Sequence, residues 1–329
     1  HWTMSFIGLK QGMFTGQGRD YCGEVCFNDL AVPEVVLNAI PGNCERLDLA
    51  ALSGRLGLRN RADHKGRNGH VLVVGGELGM GGAGILAARA AGRAGAGLVS
   101  LATRAPHVAA ALAQAPELMV SAVASGQDLQ PLLKAATVVV VGPGLGRGSW
   151  AEQLLLQCWR SEKPLVLDAD ALNLLAERPQ AGMASRQEWV ITPHPGEAAR
   201  LLGWSVAKVQ ADRFAAAREL QSRLRTQVLL KGSGSLIVDS AGSLALCPYG
   251  NPGMATGGMG DVLSGVIGAL LAQGLEPAFA LRLATVVHAC AADLAVTDGE
   301  RGLLAGDLLP LIRKLLNPEL QVEAAAGGR

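Results

Sequence analysis

The sequence predicts an α/β protein with a mainly parallel central sheet and helices on both of its faces. Three observations lead to this prediction. Short apolar segments rich in β-branched residues alternate with helical patterns along most of the 329 residues. Hydrophobic residues make up 49% of the chain and charged residues 17%, which allows a large buried core. The 43 glycines, against 4% aromatic residues, are typical of tight loops and closely packed helices.

The alternation of strands and helices begins at residue 70. The predicted strands are 70–74, 98–103, 138–141, 165–168, 189–192 and 228–231, with a hairpin of 236–238 and 243–246. The predicted helices are 81–96, 108–114, 150–159, 171–177, 197–202, 206–225, 261–273, 278–296 and 308–315. Right-handed crossovers place the loops that follow parallel strands at one edge of the sheet. Most of the glycine-rich loops follow strands, so we expect the ligand site at that edge.

The first 62 residues lack this alternation. In residues 1–32 the sequence predicts a strand that includes 6–9, a glycine-rich turn and a second strand near 23–27. These elements are too small to bury a hydrophobic core on their own. Residues 33–62 are rich in turn signals and predict a linker with at most one short helix. Because the chain starts at His1 with a strand already in progress, we expect it to be part of a longer protein.

Composition argues against several classes of function. The net charge is +1 and the basic residues are scattered, which disfavours a nucleic-acid or polybasic membrane surface. The six cysteines form no C-x-x-C pair, so we expect them to be reduced in a cytoplasmic protein. Apolar stretches such as 262–271 are short and contain Gly and Ser, which favours buried helices over membrane spans.

The strongest chemical signal is the segment 250–265, GNPGMATGGMGDVLSG. Several glycines precede one acid, Asp261, where a helix is predicted to begin. Free backbone N–H groups and the positive end of a helix form an anion site of the kind that phosphoryl transfer requires. An aspartate in that site can take a proton from an attacking hydroxyl. The alternative is that Asp261 only caps the helix, but a cap does not need so many glycines.

Two further segments follow predicted strands and carry polar side chains. The segment 192–197, TPHPGE, holds His194 between prolines and places Glu197 in the first turn of a helix. The two residues are either part of a site or an ordinary surface histidine and a capping glutamate. The segment 230–235, LKGSGS, is either a structural turn or backbone laid against a nucleotide.

Three more loops are less specific. The segments 142–146, GPGLG, and 168–173, DADALN, are either turns or the rim of a ligand site. Asp168 and Asp170 are not interpreted as a metal pair, because Asp170 can cap the next helix. The loop 75–84, GGELGMGGAG, resembles a dinucleotide-binding loop, but the next strand ends at TRA without the acid that would hold a ribose.

In their order, these motifs resemble those of the ADP-dependent NAD(P)H-hydrate dehydratases, a branch of the ribokinase-like fold. The resemblance covers residues 63–317 and is carried by segments 64–66, 81–83, 142–146, 168–173, 192–197, 230–232 and 257–261. Residues 1–32 resemble the end of the NAD(P)H-hydrate epimerase domain that precedes this domain in bifunctional bacterial proteins. Residues 33–62 would then be a linker and 318–329 a tail.

The resemblance implies a ribokinase-like three-layer sandwich and roles for individual residues. Asp261 matches the catalytic acid/base, which also contacts the hydrate. The other implied hydrate-binding residues are Ala83, Gly144, Gly146 and His194. The implied ADP-binding residues are Lys231, Gly232, Ser233, Gly234, Ser235 and Gly260. Glu197 is implied to help hold Mg²⁺ through water. Met259 stands where the family usually has Thr or Ser, a change that leaves the backbone N–H groups in place.

The implied reaction is the ADP-dependent dehydration of (6S)-NADHX or NADPHX to NADH or NADPH, with release of AMP and phosphate. The implied enzyme uses Mg²⁺, is a cytoplasmic homotetramer, and has neither nucleic-acid nor membrane partners. We expect no epimerase activity, because most of that domain is absent from the sequence. The choice of ADP over ATP follows from the resemblance alone, and the preference between NADHX and NADPHX stays open.

Two other functions remain as alternatives. A vitamin kinase of the same fold would phosphorylate a thiazole or pyrimidine alcohol, but segment 194–197 and the N-terminal segment weigh against it. A kinase accumulates a stable phosphoester, whereas a dehydratase releases phosphate. A nucleotide sensor without turnover is disfavoured by the presence of Lys231, Asp261 and Glu197.

Overall fold

The computed structural model describes residues 1–40, 42–177 and 188–317. Its strands are β1 (Trp2–Phe6), β2 (Glu24–Asn28), β3 (Glu45–Arg46), β4 (His70–Val74), β5 (Leu98–Thr103), β6 (Met119–Ala122), β7 (Val138–Val141), β8 (Leu165–Leu167), β9 (Val190–Ile191), β10 (Gln227–Leu230), β11 (Ser235–Val238) and β12 (Leu244–Cys247). Its helices are α1 (Gly18–Cys22), α2 (Glu34–Ala39), α3 (Leu49–Ser53), α4 (Gly81–Arg93), α5 (Val108–Gln114), α6 (Gly126–Ala135), α7 (Ser149–Arg160), α8 (Ala169–Glu177), α9 (Pro195–Leu202), α10 (Val206–Ala211), α11 (Arg213–Leu224), α12 (Met259–Ala272), α13 (Pro277–Ala295) and α14 (Leu308–Leu315).

The described strands after β2 form one sheet of ten strands, in the order β3-β12-β11-β10-β9-β8-β7-β4-β5-β6. Neighbouring strands are parallel except in the hairpin β10-β11-β12, where they are antiparallel. Strands β1 and β2 form a separate parallel pair. The prediction of a mainly parallel sheet is therefore confirmed.

Two hydrophobic cores cover the two faces of the sheet. Strand β7 consists of four valines, and they alternate between the cores: Val138 and Val140 face the first core, Val139 and Val141 the second. Helices α4, α12, α13 and α14 contribute to the first core. Helices α6, α7, α8, α9 and α11 contribute to the second. Burial on both faces explains why such strands read as continuous apolar runs, and it confirms the three-layer arrangement.

Small residues bring α4 and α12 into close contact in the first core. A Cβ atom on Gly265 of α12 would lie 2.1 Å from the carbonyl oxygen of Ala87 of α4, so only glycine allows this approach. Both helices begin at glycine-rich loops, at Gly81 and Met259. The close packing therefore fixes two of the candidate loops next to each other.

Among the described residues, one helical segment, Pro277–Asp298, is long and apolar enough to cross a membrane, with a mean hydropathy of 1.6. In its most apolar stretch of 18 residues, 67% of the residues are buried inside the protein. It contains α13, which packs against α12, α14 and β12. The apolar composition of this segment is therefore that of a core helix. The sequence likewise predicted buried helices for the apolar stretches of the chain.

Several predicted elements differ from those observed. Strand β6 and helix α6 were not predicted. The predicted helix 206–225 is two helices, because Asp212 leaves the helical conformation (φ −143°, ψ 85°) and its side chain caps α11 through Ala215 N–H. The first strand is Trp2–Phe6, not 6–9. Residues 33–62 hold two short helices and strand β3 of the main sheet, more than the predicted single helix. The predicted tail, 318–329, lies outside the described residues.

Candidate active site

Five of the candidate motifs follow strands that end at the same edge of the sheet. The loop 75–84 follows β4, 142–146 follows β7, 168–173 follows β8, 192–197 follows β9 and 230–235 follows β10. These strands are mutually parallel neighbours, in the order β10-β9-β8-β7-β4. In open α/β sheets, ligands bind at the carboxyl ends of the strands. The structure thus brings the predicted loops together, as the sequence led us to expect.

An ion pair between a buried aspartate and a partly buried lysine lies at the centre of this edge. Lys231 Nζ is 2.6 Å from Asp168 Oδ1, and Ser264 Oγ of α12 donates to Asp168 Oδ2 at 2.7 Å. Asp168 is 1% exposed. Burial acts to raise the pKa of Asp168, but the Lys231 ammonium and the hydrogen bonds outweigh burial and hold it below its usual value. Asp168 is therefore a carboxylate that fixes the position of a lysine ammonium.

Lys231 joins the two motifs that were assigned to ADP. A Cβ atom on Gly260 would lie 3.2 Å from Lys231 Nζ, so the start of α12 rests against the ammonium. Burial acts to lower the pKa of Lys231, but the charges of Asp168 and Glu197 outweigh it and raise the pKa. A lysine that stays charged beside the N-terminus of a helix provides a site for the phosphates of a nucleotide.

Asp261 occupies the first turn of α12, directly after the glycines. Gly258, at the N-cap, has φ +91°, a conformation that glycine adopts without strain. Burial raises the pKa of Asp261 to about 6, and the negative charge of Asp168 adds to this effect while Lys231 opposes it. A carboxylate with a pKa near neutral pH is suited to general acid/base catalysis.

His194 and Glu197 form the N-terminal cap of α9. Gly196 N–H donates to His194 Nδ1 at 2.9 Å, and His194 N–H donates to Glu197 Oε2 at 2.8 Å. The His194 ring is about half exposed, and its Nε2 lies 3.3 Å from Glu197 Oε1. Burial, with the charges of Lys231 and Arg200, lowers the pKa of His194, so its ring is neutral at pH 7. The capping interpretation of this motif is therefore confirmed, and its functional interpretation stays a prediction.

Ala83, Gly144 and Gly146 come together where the loops after β4 and β7 cross. A Cβ atom on Gly144, which has φ +55°, would lie 2.5 Å from Met80 O and 3.1 Å from Ala83 Cβ. Gly146 N–H donates to Asp170 Oδ2 at 2.8 Å. Asp170 lies in the first turn of α8 but also ties that helix to the glycine loop, a contact that the sequence did not reveal.

The turn 231–235 is held by two residues that the sequence analysis missed. Arg213 is 4% exposed, and its guanidinium lies within hydrogen-bond distance of the carbonyl oxygens of Leu230, Lys231 and Gly234. Its Nε donates to Thr15 Oγ1 at 3.0 Å. Thr15 Oγ1 in turn lies 2.9 Å from Gly234 O and 3.1 Å from Ser233 O. The burial of Arg213 is visible only in the tertiary structure, so the sequence offered no signal for this role.

Two other residues of the edge were also missed. Arg104 makes a two-point contact with Glu77, with Nε–Oε1 2.7 Å and Nη2–Oε2 2.9 Å, and so holds the loop after β4. His288 of α13 is buried beside the start of α12, and burial lowers its pKa to about 4. Glu77 stood in a predicted motif, whereas nothing in the local sequence distinguished His288 from a core residue.

The residues present fit Mg²⁺ only as a partner of bound phosphates. In the described part of the chain, no cluster of three or more His, Cys, Asp or Glu side chains is arranged to hold a metal. Glu197 is buried, with Oε2 3.9 Å from Lys231 Nζ, and burial raises its pKa to about 7. Mg²⁺ in phosphoryl-transfer sites needs one or two carboxylates besides water and phosphate oxygens, and Glu197 can supply one.

The fold and this edge define the class of protein. A ribokinase-like superfamily protein from Enterococcus faecalis has a TM-score of 0.76 and 27% identity, with 85% of this chain and 97% of that chain covered. An ADP/ATP-dependent NAD(P)H-hydrate dehydratase from Bacillus subtilis, co-crystallised with ATP and Mg²⁺, has a TM-score of 0.75 and 28% identity, covering 84% and 99%. The chain therefore has the ribokinase-like fold.

The particular family follows from the sequence comparisons. The family model for NAD(P)H-hydrate dehydratase matches residues 71–314. A bifunctional NAD(P)H-hydrate repair enzyme of Coxiella burnetii is 50% identical over 96% of this chain and 64% of its own length. An ADP-dependent (S)-NAD(P)H-hydrate dehydratase of Neisseria meningitidis is 40% identical over 79% of this chain and 88% of its own length. The chain belongs to the NAD(P)H-hydrate dehydratase family, which confirms the predicted family.

Proposed function

We propose that this chain dehydrates the hydrated form of NADH or NADPH with ADP as the phosphoryl donor. One observation carries the proposal: Asp261, with a pKa raised to about 6, stands at a glycine-rich helix N-terminus beside the Lys231 ammonium. This arrangement combines a general base, an anion site and a fixed cation. The relatives from Neisseria meningitidis and Bacillus subtilis, by their names, use ADP or ADP/ATP for such a reaction.

The chemistry solves the problem of a poor leaving group. Hydration leaves a hydroxyl on a saturated ring carbon, and hydroxide does not leave readily. Asp261 accepts the hydroxyl proton as the oxygen attacks the β-phosphorus of ADP, and the bond to AMP breaks. The new phosphoester loses phosphate as the ring nitrogen donates its electron pair, and the neighbouring carbon loses a proton to restore the reduced ring. The N–H groups of 257–260 bear the developing charge.

The remaining site residues are proposed to bind the two substrates. Ala83, Gly144, Gly146 and His194 would hold the hydrate at the crossing of the loops after β4, β7 and β9. Residues 231–235 and Gly260 would hold the phosphates of ADP. Mg²⁺, when bound, would neutralise charge on the donor phosphates, with Glu197 reaching it through water.

We also propose that residues 63–317 are the dehydratase domain, 33–62 a connecting segment and 1–32 the remnant of an epimerase domain. The chain spans about 64% of the length of the bifunctional relative from Coxiella burnetii. Trp2, Met4, Phe6 and Phe27 of the small β1-β2 sheet are about half exposed or more, as expected for side chains that another part of a protein covers. A cytoplasmic homotetramer rests on the resemblance alone, and analytical ultracentrifugation tests the tetramer.

The purified chain should be incubated with enzymatically hydrated NADH, Mg²⁺ and either ADP or ATP. We expect the absorbance of reduced nicotinamide to recover with ADP, with one AMP and one phosphate released per NADH. Recovery with ATP alone would keep the dehydration but reverse the choice of donor. A stable phosphoester of a thiazole or pyrimidine alcohol, without recovery of NADH, would favour the vitamin kinase.

A further inference from the structure

The side chain of Asp293, in the last turn of α13, holds the start of the glycine-rich segment 250–258. Asp293 Oδ2 accepts a hydrogen bond from Gly250 N–H at 2.9 Å, and Asp293 Oδ1 accepts one from Asn251 Nδ2 at 2.9 Å. The last turn of a helix carries the negative end of its dipole, so a carboxylate there is unfavourable for the helix itself. The position of Asp293 is therefore better explained by its contacts with the loop than by helix stability.

Arg19, in α1 of the N-terminal segment, binds the other polar backbone group of Gly250. Arg19 Nη2 donates to Gly250 O at 2.9 Å, and Nη1 donates to Tyr249 O at 3.4 Å. The segment that carries Arg19 is fixed to the main sheet nearby, because Gly16 N–H donates to Ser233 O at 2.9 Å. A cation from the N-terminal segment and an anion from α13 thus hold the backbone of one residue from two sides.

Residues 250–255 form a compact unit between these contacts and the proposed anion site. Gly253 N–H donates to Asn251 Oδ1 at 3.0 Å, and Met254 N–H donates to Asn251 O at 3.1 Å. Residues 255–257 are exposed, and α12 begins shortly after them. The position of this exposed stretch therefore depends on the compact unit at one end and on α12 at the other.

We propose that Asp293 and Arg19 are positioning residues of the dehydratase site, which hold Gly250 so that the N–H groups of 257–260 meet the transferred phosphoryl group. Arg19 makes the dehydratase domain depend on the N-terminal segment that precedes it. The family match, 71–314, includes Asp293 but not Arg19. The effect on turnover rests on the proposed function, whereas the effect on the conformation of the loop does not.

Steady-state kinetics of hydrate dehydration test the positioning role. The variants are Asp293→Ala, Arg19→Ala and the double variant, each in the full chain. We expect kcat to fall by about 10- to 100-fold, the size expected for a displaced transition-state contact, with little change in KM for ADP. Because both side chains act on Gly250, the loss in the double variant should be smaller than the product of the two single losses. Arg19→Lys, which keeps one donor, should recover part of the activity.

Amide hydrogen exchange measures the conformation of the loop without turnover. The hydrogen-bonded N–H groups of the compact unit are those of Gly250, Gly253, Met254 and Ala255. We expect residues 250–255 to exchange about tenfold faster in Asp293→Ala and in Arg19→Ala, the change expected for loss of a hydrogen bond to a charged group. Exchange in α12 and in the rest of α13 should be unchanged.

Asp298→Ala and Tyr21→Ala are the matched controls and should change neither the kinetics nor the exchange. Asp298 is an exposed acid just beyond α13, and Tyr21 lies in α1 and is 79% exposed. Unchanged kcat or unchanged exchange of 250–255 in the folded variants would overturn the inference. Faster exchange throughout α12 and α13 would also overturn it, since the two side chains would then only stabilise the fold. A wild-type chain that does not restore NADH would refute the proposed function, and the exchange rates alone would then decide the inference.

Discussion

Lys231 and Asp168 are 63 residues apart in the chain, yet Lys231 Nζ lies 2.6 Å from Asp168 Oδ1. Asp168 follows β8 and Lys231 follows β10, and β9 lies between these strands in the sheet. The lysine side chain thus reaches across the end of β9, where Glu197 Oε2 is 3.9 Å away. The pair fixes the ammonium against Gly260, where the proposed phosphates lie.

Breaking this pair should be costly. Removing one partner of a buried ion pair leaves an uncompensated charge, so we expect Asp168→Ala to lower the free energy of unfolding by about 3 kcal/mol. Urea unfolding of the wild type and the variant measures this difference in the free energy of unfolding. Glu177→Gln is the control, because the Arg147–Glu177 pair is exposed (55% and 46%) and should lose less than about 1 kcal/mol. Equal effects in the two variants would show that Asp168 does not hold a buried cation.

Asp261→Asn should lose activity and gain stability. Loss of a general base lowers kcat by about 10²–10⁴. The pKa of Asp261 is raised to about 6 in the folded state, so the protonated carboxyl group stabilises the folded state relative to the unfolded chain. This stabilisation is lost as pH rises through 6, because the folded state disfavours the charged carboxylate. Asn carries no charge, so the variant should be more stable than the wild type at pH 8, by on the order of 2 kcal/mol.

Thermal unfolding of both proteins between pH 4 and pH 8 measures this difference, which should disappear near pH 4, where Asp261 of the wild type is protonated. Near wild-type turnover by folded, ADP-binding Asp261→Asn would refute the catalytic role. A stability difference that does not change with pH would refute the assigned pKa.

The pH dependence of kcat/KM should report the same carboxyl group. This parameter reflects ionisations of the free enzyme. Since Asp261 must be ionised to accept a proton, kcat/KM for the hydrate should fall about tenfold per pH unit below about 6. Initial rates with hydrate and ADP both subsaturating measure kcat/KM, because most of the enzyme is then free. A profile that stays flat to pH 5 would exclude a base with this pKa.

Gly144→Ala should disturb the hydrate site. The position has φ +55°, and the new methyl group would meet Met80 O at 2.5 Å and Ala83 Cβ at 3.1 Å. We expect a loss of about 2 kcal/mol of stability and a raised KM for the hydrate, with less effect on KM for ADP. Gly92→Ala is the matched control, because nothing lies within 4 Å of a Cβ atom there.

Gly92 lies in α4, and alanine at an open helical position should stabilise by about 0.5–1 kcal/mol. Denaturant unfolding measures the stability of the Gly144→Ala and Gly92→Ala variants, and steady-state kinetics measure their KM for the hydrate and for ADP. A Gly144→Ala variant as stable and active as the wild type would show that the two loops can move apart.

Some elements were predictable because their burial is uniform along the segment. Residues Val71–Val74 and Val138–Val141 are at most 2% exposed, so both sheet faces demand apolar residues. Strand β6 was missed because it lies at the sheet edge with Met119 41% exposed, which weakens the pattern. Helix α6 was missed because Pro131 interrupts a helical pattern, although Ser125 and Asp128 form a capping box there.

The sequence by itself determined the α/β class and the order of the loops and predicted the role of Asp261, because these depend on local periodicity and residue type. Tertiary structure alone decided that Asp168 holds Lys231, that Arg213 and Thr15 build the turn 231–235, and that residues 13–19 lie against it. These contacts join residues 17 to 219 positions apart. Local sequence carries no record of such partners, since a buried polar group needs a hydrogen bond but does not specify from which strand or helix it comes.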